Sequence, residues 1–279
     1  MQDGRWMHRN PQEVSIMKWH RINAMLIRHL YLYKRSVPRL MDVFFWPFMT
    51  ILLWGFISLY LQKSNFGGGL NIITILLGAT LFWQLLNESE HAISIAFLEE
   101  VWEKNFLNIF VTPLKLSEFI VSTTLLGLVR IFLVGVVMTV ISFFAYSFNV
   151  FSFGIYLVPF ALNLLLFGLA LGLVMISIIL RFGTSAQVLA FGIMFLIQPF
   201  SAVFYPVSAL PKVIQYISYI FPSTHVFEGM RAVIATGSLP LNYLLWAIGL
   251  NIIYLTLAVI FFYKMFASVK RKGRLLKMD

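Results

Sequence analysis

Glu88, Glu90 and Arg130 fall inside runs that are otherwise free of charge. An ionisable side chain in such a run is costly unless it pairs or lines a polar path, so each marks a functional hypothesis. Arg130 has Glu88 and Glu90, from the preceding apolar run, as candidate partners. One reading is a polar hinge or pathway lining. The other, favoured here, is a structural ion pair locking two spans. At 1.5 Å per residue Glu88 stands about 24 Å from the start of its run, in the inner third of a membrane or at its edge. A second constellation is Ser223, Thr224 and His225, with Glu228 three residues on. A serine nucleophile needs a placed base and acid. A helix start after Pro222, with Ser223 or Thr224 as cap, accounts for the same residues more simply.

Other chemistries find no support. There is no GxxxxGKS or GxxxxGKT phosphate loop and no HExxH, and the five histidines lack metal-ligand spacing, so no metal is expected. Without cysteine there is no disulfide framework and no thiolate.

The elements that must position these residues are membrane elements. Of 279 residues 60% are hydrophobic and 11% charged, against about 25% charged in soluble domains. The net charge of +10 sits in the two tails and beside apolar runs. That is a topology pattern and not a nucleic-acid footprint. The first 41 residues are too long and polar for the charged start of a cleavable signal. The expected fold is a single all-α membrane domain with six transmembrane helices, an N-terminal amphipathic interface helix, and a re-entrant helical hairpin before the last span.

The interface helix is expected at 13–35. Trp19, Ile22, Leu26, Leu30 and Tyr33 share one face, while Arg21, Arg28 and Arg35 recur every seven residues on another. A basic amphipathic helix suits the surface of an anionic leaflet, or a soluble partner. Spans are expected at 41–62, 72–98, 119–147, 155–180, 186–205 and 241–263. The polar segment 99–118 joins the second to the third, and its first part, 99–110, reads as a short helix ended by Thr112-Pro113. Such a helix can transmit force from a soluble motor. Six spans put both termini on one side. Seventeen Lys and Arg then lie on the termini side against three opposite, so both termini are expected in the cytoplasm.

The segment 198–237 differs from the rest. Prolines at 199, 206, 211 and 222 divide it into pieces of 10 and 14 residues, too short to cross a bilayer that needs about 20. The expected form is a broken hairpin, 206–237, dipping back into the outer leaflet. Broken backbone is tolerated there only when packed in protein or lining a cavity. The alternative is a surface loop with amphipathic helices on the headgroups.

At this point the residues resemble a family. Leu98-Glu99-Glu100-Val101-Trp102-Glu103, then Val111-Thr112-Pro113-Leu114 and Glu118, are similar to the cytoplasmic loop of ABC type-2 exporter permeases. Tyr205-Pro206-Val207, Leu210-Pro211, Phe221-Pro222-Ser223-Thr224-His225, Glu228-Gly229, Arg231 and Gly237 resemble that family's outer segment. The resemblance covers nearly the whole chain. It implies a permease without an ATPase site of its own, paired with a second permease copy as a homodimer in a bacterial inner membrane. Two copies of a separate ATP-binding subunit would bind ATP and Mg; this chain would bind no cofactor. Coupling to that subunit would use Glu99, Glu100, Trp102, Glu103, Asn105 and Phe106, with Arg21 and Arg28. The outer gate would use Tyr205, Pro206, Pro211, Pro222, His225, Glu228 and Arg231. Polysaccharide exporters of the family carry an Arg-Tyr and Leu-Gly-Trp-like signature before the first span, which Lys34-Arg35-Ser36 to Phe45-Trp46-Pro47 matches poorly. The implied cargo is therefore a drug-like or lipid-like amphiphile. A polysaccharide or lipid-linked glycan of O-antigen or teichoic-acid type is the alternative, and an ion-coupled carrier a more distant one.

Overall fold

The computed structural model describes residues 17–64, 71–103, 105, 108 and 112–271. Among them the chain is helical, with no strand. The helices are α1 (Trp19–Arg35), α2 (Val37–Lys63), α3 (Ile72–Trp102), α4 (Leu116–Tyr146), α5 (Leu157–Phe182), α6 (Gln187–Ile197), α7 (Lys212–Ser218), α8 (Pro222–Thr236) and α9 (Leu241–Arg271). Five stretches are long and apolar enough to cross a membrane: α2, α3, α4, Leu157–Ile197 and α9.

α3 and α5 form the centre of the bundle. α2 and α4 pack on α3, α9 packs on α5, and α1 lies against α4. The central contact is close because α5 carries Gly168 and Gly172 one turn apart. A Cβ at Gly168 would stand 2.6 Å from Ser89 Cβ and 2.8 Å from Leu86 O, and one at Gly172 would stand 3.0 Å from Glu90 O. Small residues four apart let helix backbones approach where lipid supplies no hydrophobic drive. Ser89 Oγ then donates to Leu165 O at 2.8 Å. On the other side of α5, Asn251 Nδ2 of α9 donates to Asn163 O at 3.0 Å and to Asn163 Oδ1 at 2.9 Å.

The expected fifth span, 186–205, differs from the structure, whereas α5 lies close to the expected fourth, 155–180. α5 ends at Phe182, and Gly183 takes φ +61°, which favours glycine. A 3-10 turn, Gly183–Ala186, leads into α6, which has 11 residues and rises about 16 Å. α6 turns back along α3: Phe191 stacks on Trp102, while Met194 and Ile197 pack with Trp83 and Leu86. Alone it is too short for the ~30 Å hydrocarbon core. Helix does not continue to 205 because Pro199 removes a donor and Ala202 adopts φ +49°.

The segment 99–110 also differs where it is described. Glu99 and Glu100 form the last turns of α3, which runs unbroken to Trp102, because neither Gly nor Pro follows Gly78 in it and arginines meet its acids. Residues 106 and 107 and 109–111 lie outside the described residues, as do 13–16. At the far end α9 continues beyond 263 to Arg271, with Lys270 and Arg271 complementing the helix dipole.

Candidate functional site

At the end of the bundle that carries α1 and the last turn of α3, an ionic network joins four helices, α1, α2, α3 and α4. Arg28 of α1 binds Glu100 of α3 through both terminal nitrogens, with Nη2 at 3.1 Å from Oε2. His29 Nε2 stands 3.3 Å from Glu100 Oε1. Asn105 Nδ2 donates to Glu100 Oε2 at 2.9 Å. Arg39, one turn into α2, bonds Glu103 and lies 3.8 Å from Glu99. Arg21 donates to Pro113 O and lies 3.6 Å from Glu118 Oε2. Glu118 is fully buried and accepts from Lys18 N–H at 2.9 Å and Lys115 N–H at 2.8 Å. It therefore satisfies one backbone donor at the start of α4 and one at the start of α1, and so holds the start of α1 there.

The residues expected at the coupling surface thus separate into two groups. Glu100 is buried within the network, whereas Trp102 and Glu103 remain exposed. Phe106 lies outside the described residues. His29 and Arg39 complete the network without having stood out in the sequence, together with Glu118, which carried the family resemblance without an assigned role. Arg35, the third member of the seven-residue series, points outward. The helix breaks at Ser36, whose backbone is extended, and Arg39 takes the inward place.

Deeper in the bundle Arg130 Nη2 of α4 lies 3.2 Å from Glu88 Oε2 of α3. Arg130 Nη1 donates to Tyr33 Oη of α1 at 3.0 Å, and Gln84 Nε2 donates to Glu88 Oε1 at 2.9 Å. Glu90 is placed differently. It faces α5, is fully buried, and neither carboxylate oxygen has a hydrogen bond among the described residues. His91 Nε2 stands 3.6 Å from Glu90 Oε2.

A cavity of about 660 Å³ borders the Arg130–Glu88 pair, within the size range of small-molecule sites. Its walls come from α2, α3 and α6, with Tyr33 of α1, Arg130 of α4, and Gln198 and Phe204 beyond α6. Four tryptophans, Trp46, Trp54, Trp83 and Trp102, line it. Trp54 and Phe204 stack across it, ring centroids 3.8 Å apart. Trp46 of α2 is 63% exposed and Phe195 of α6 is 78% exposed, so the rim is open on the flank where those helices stand. No sequence signal gathered these residues, because they come from helices far apart in the chain.

At the opposite end α8 holds the turn after α6. Arg231 donates to Val203 O at 3.2 Å and Ala202 O at 2.9 Å, and pairs with Glu228 at 3.0 Å. Glu228 Oε1 accepts from Val207 N–H at 2.7 Å. These bonds satisfy backbone groups that the irregular 198–207 segment leaves free. Tyr205 Oη donates to Pro199 O at 2.6 Å. Pro222 occupies the first turn of α8, and Pro206 and Pro211 are exposed. Ser223 and Thr224 do not cap α8. Ser223 Oγ bonds Ser201 Oγ at 2.7 Å and Thr224 Oγ1 donates to Phe200 O at 3.2 Å. His225 Nε2 contacts Tyr219 O at 3.1 Å and its ring stacks on Trp246, so Ser223 and His225 form no nucleophile–base pair. Burial pushes the His225 imidazole down.

The described residues hold no group of three or more His, Cys, Asp or Glu suited to a metal ion. No curated protein sequence matches the chain at a significant level. The sequence profile of the ABC-2 type transporters matches residues 20–235, a stretch that begins in α1, takes in the ionic network and the cavity, and ends in α8. The chain belongs to the ABC-2 type transporter family, as a permease component that is not itself the ATPase.

Proposed function

We propose that this chain is the membrane subunit of an ATP-driven exporter that moves a lipid-like amphiphile out of the cytoplasm or inner leaflet. The observation that carries the proposal is the network joining α1, the last turn of α3 and the start of α4. Arg28 with Glu100 ties α1 to α3, Lys18 and Arg21 with Glu118 tie α1 to α4, and Arg39 of α2 joins α3 at Glu99, so a push on Trp102 and Glu103 moves these helices as one body. A separate ATP-binding subunit docks on the exposed Trp102 and Glu103 and on the segment that follows. ATP and Mg bind there and not on this chain.

In this reading both termini face the cytoplasm of a bacterial inner membrane. α6 with the turn that follows makes a sixth crossing, and α7 and α8 form a re-entrant hairpin on the outer side. Two copies of the chain pair with two ATP-binding subunits. The open rim between Trp46 and Phe195 faces the second copy or lipid, which lets an amphiphile enter the cavity from the side. Glu228 and Arg231 hold the turn that carries Phe204 and Tyr205, where an exit gate would open.

The test is isolation of the chain from its native membrane in mild detergent, followed by mass spectrometry and flux assays in vesicles. A stoichiometric soluble partner with a GxxxxGKS or GxxxxGKT loop, and flux that requires ATP, are the expected results. A chain that purifies alone and catalyses flux without ATP would falsify the proposal.

A further inference from the structure

The cavity walls carry fixed charge of both signs in equal number. Arg130 is matched by Glu88 at 3.2 Å and Arg39 by Glu99 at 3.8 Å. A charged headgroup entering here would have to break one of these pairs and leave its partner uncompensated at low dielectric, which is costly. What the walls offer instead is uncharged. The side-chain amides of Asn87 and Gln198 make no hydrogen bond among the described residues and line the cavity. The indole N–H groups of Trp54 and Trp83 also donate to no described residue. Gln84 spends its amide nitrogen on Glu88 but keeps its carbonyl. Aromatic faces beside unspent amides and indole donors suit a ligand with flat apolar faces and a dense rim of hydroxyls.

We propose that this cavity binds the headgroup of an uncharged, polyhydroxylated amphiphile, a glycoside-type head on an apolar tail, recognised by Asn87, Gln198, Trp54 and Trp83. The assignment rests on the exporter reading above for its role in transport, but binding itself needs no motor. The tail leaves through the open rim beside Trp46 and Phe195, whose exposed rings stand at the lipid boundary. The head stays inside, where an uncharged ligand leaves both ion pairs intact. Tight fit is not required of a carried ligand, which must also leave.

The experiment uses the full chain in lipid nanodiscs, without ATP or partner. Equilibrium dialysis measures binding of four labelled probes: octyl β-glucoside, methyl β-glucoside, octyl phosphate and octyltrimethylammonium, below their micellar concentrations, with empty nanodiscs as blank. Octyl glucoside is expected to bind saturably. Methyl glucoside, the same head without a tail, is expected to bind at least about tenfold more weakly, a difference of about 1.4 kcal/mol. The phosphate and the ammonium are expected to show only the nonsaturable partition seen with the blank. Asn87→Leu with Gln198→Leu should weaken octyl glucoside about tenfold while leaving the unfolding temperature unchanged, since neither amide bonds a described residue. Because Trp83→Leu removes a buried ring, it is read only alongside that pair. Saturable binding of octyl phosphate or the ammonium at equal or higher affinity would overturn the assignment. So would no saturable binding by any probe, equal binding of the two glucosides, or unchanged affinity in the Asn87 and Gln198 variant. Co-purification with an ATPase but no glucoside binding refutes the headgroup while the exporter reading stands. Glucoside binding without any ATPase partner does the reverse.

Discussion

Arg28 of α1 and Glu100 of α3, 72 residues apart, meet through two hydrogen bonds in a network that also takes in His29 and Asn105. Glu100 is therefore buried as an internal strut. Arg28→Glu should loosen α1 from α3 and cost about 3–5 kcal/mol, the range for orphaning a buried charge. The swap Arg28→Glu with Glu100→Arg should recover much of the loss. Thermal unfolding of the purified chain reads both. If the single variant is as stable as the parent, the strut role is wrong.

Arg130 and Glu88 sit across the α3–α4 contact. Arg130→Leu should destabilise by about 3–5 kcal/mol because Glu88 keeps its charge in a buried place. Adding Glu88→Gln should return a large part of that, since the amide can stay bonded to Gln84. A double-variant cycle with no coupling between the two positions would refute the pairing as a stabilising element.

Glu90 presents the opposite case. Its carboxylate is buried and neither oxygen accepts a hydrogen bond among the described residues, with only the His91 ring at 3.6 Å. Glu90→Gln should leave the chain intact or stabilise it by about 1–3 kcal/mol, the desolvation cost of an unsatisfied buried group. A marked fall in unfolding temperature would show that the charge has a partner in the working protein.

His225 ties Tyr219 to α8 and stacks on Trp246. Burial lowers its imidazole below the ordinary value, so folding favours the neutral ring. Its contribution is fully present above the unfolded value of about 6.5 and is lost as pH falls through the lowered folded value. Hydrogen exchange in α7 and α8 should therefore speed up on acidification below about pH 6.5. His225→Gln should flatten that dependence. An unchanged profile in the variant would assign the acid sensitivity elsewhere.

Much of this molecule could be read from the chain. The apolar runs mark α2, α3, α4, α5 and α9 because a membrane demands length and low charge. The prolines at 206, 211 and 222 mark where helix stops and restarts. The turn of α5 into α6 was less visible, since Gly183 is one residue in an apolar stretch and the shortness of α6 comes from Pro199 and the backbone at Ala202. The cavity could not be read at all. Trp54, Trp83 and Phe204 come from three separate segments, and only their packing makes them neighbours. Glu118 belonged to the loop motif that carries the family resemblance, but the sequence assigned it no role. Its importance lies in two backbone donors, one from Lys18 a hundred residues earlier.

The pairing of Arg39 with Glu99 and of Arg130 with Glu88 bears on the electrical side of transport. A single charge moved through the full membrane potential exchanges about 2.3 kcal/mol per 100 mV. Walls whose charges cancel in place, closing around an uncharged passenger, sweep no net charge when the helices shift. Turnover in vesicles held at opposite potentials should be equal, and a voltage-dependent rate would show that a charge travels. An electroneutral cycle would leave transport governed by the supply of ATP alone, undisturbed when the membrane voltage rises or collapses.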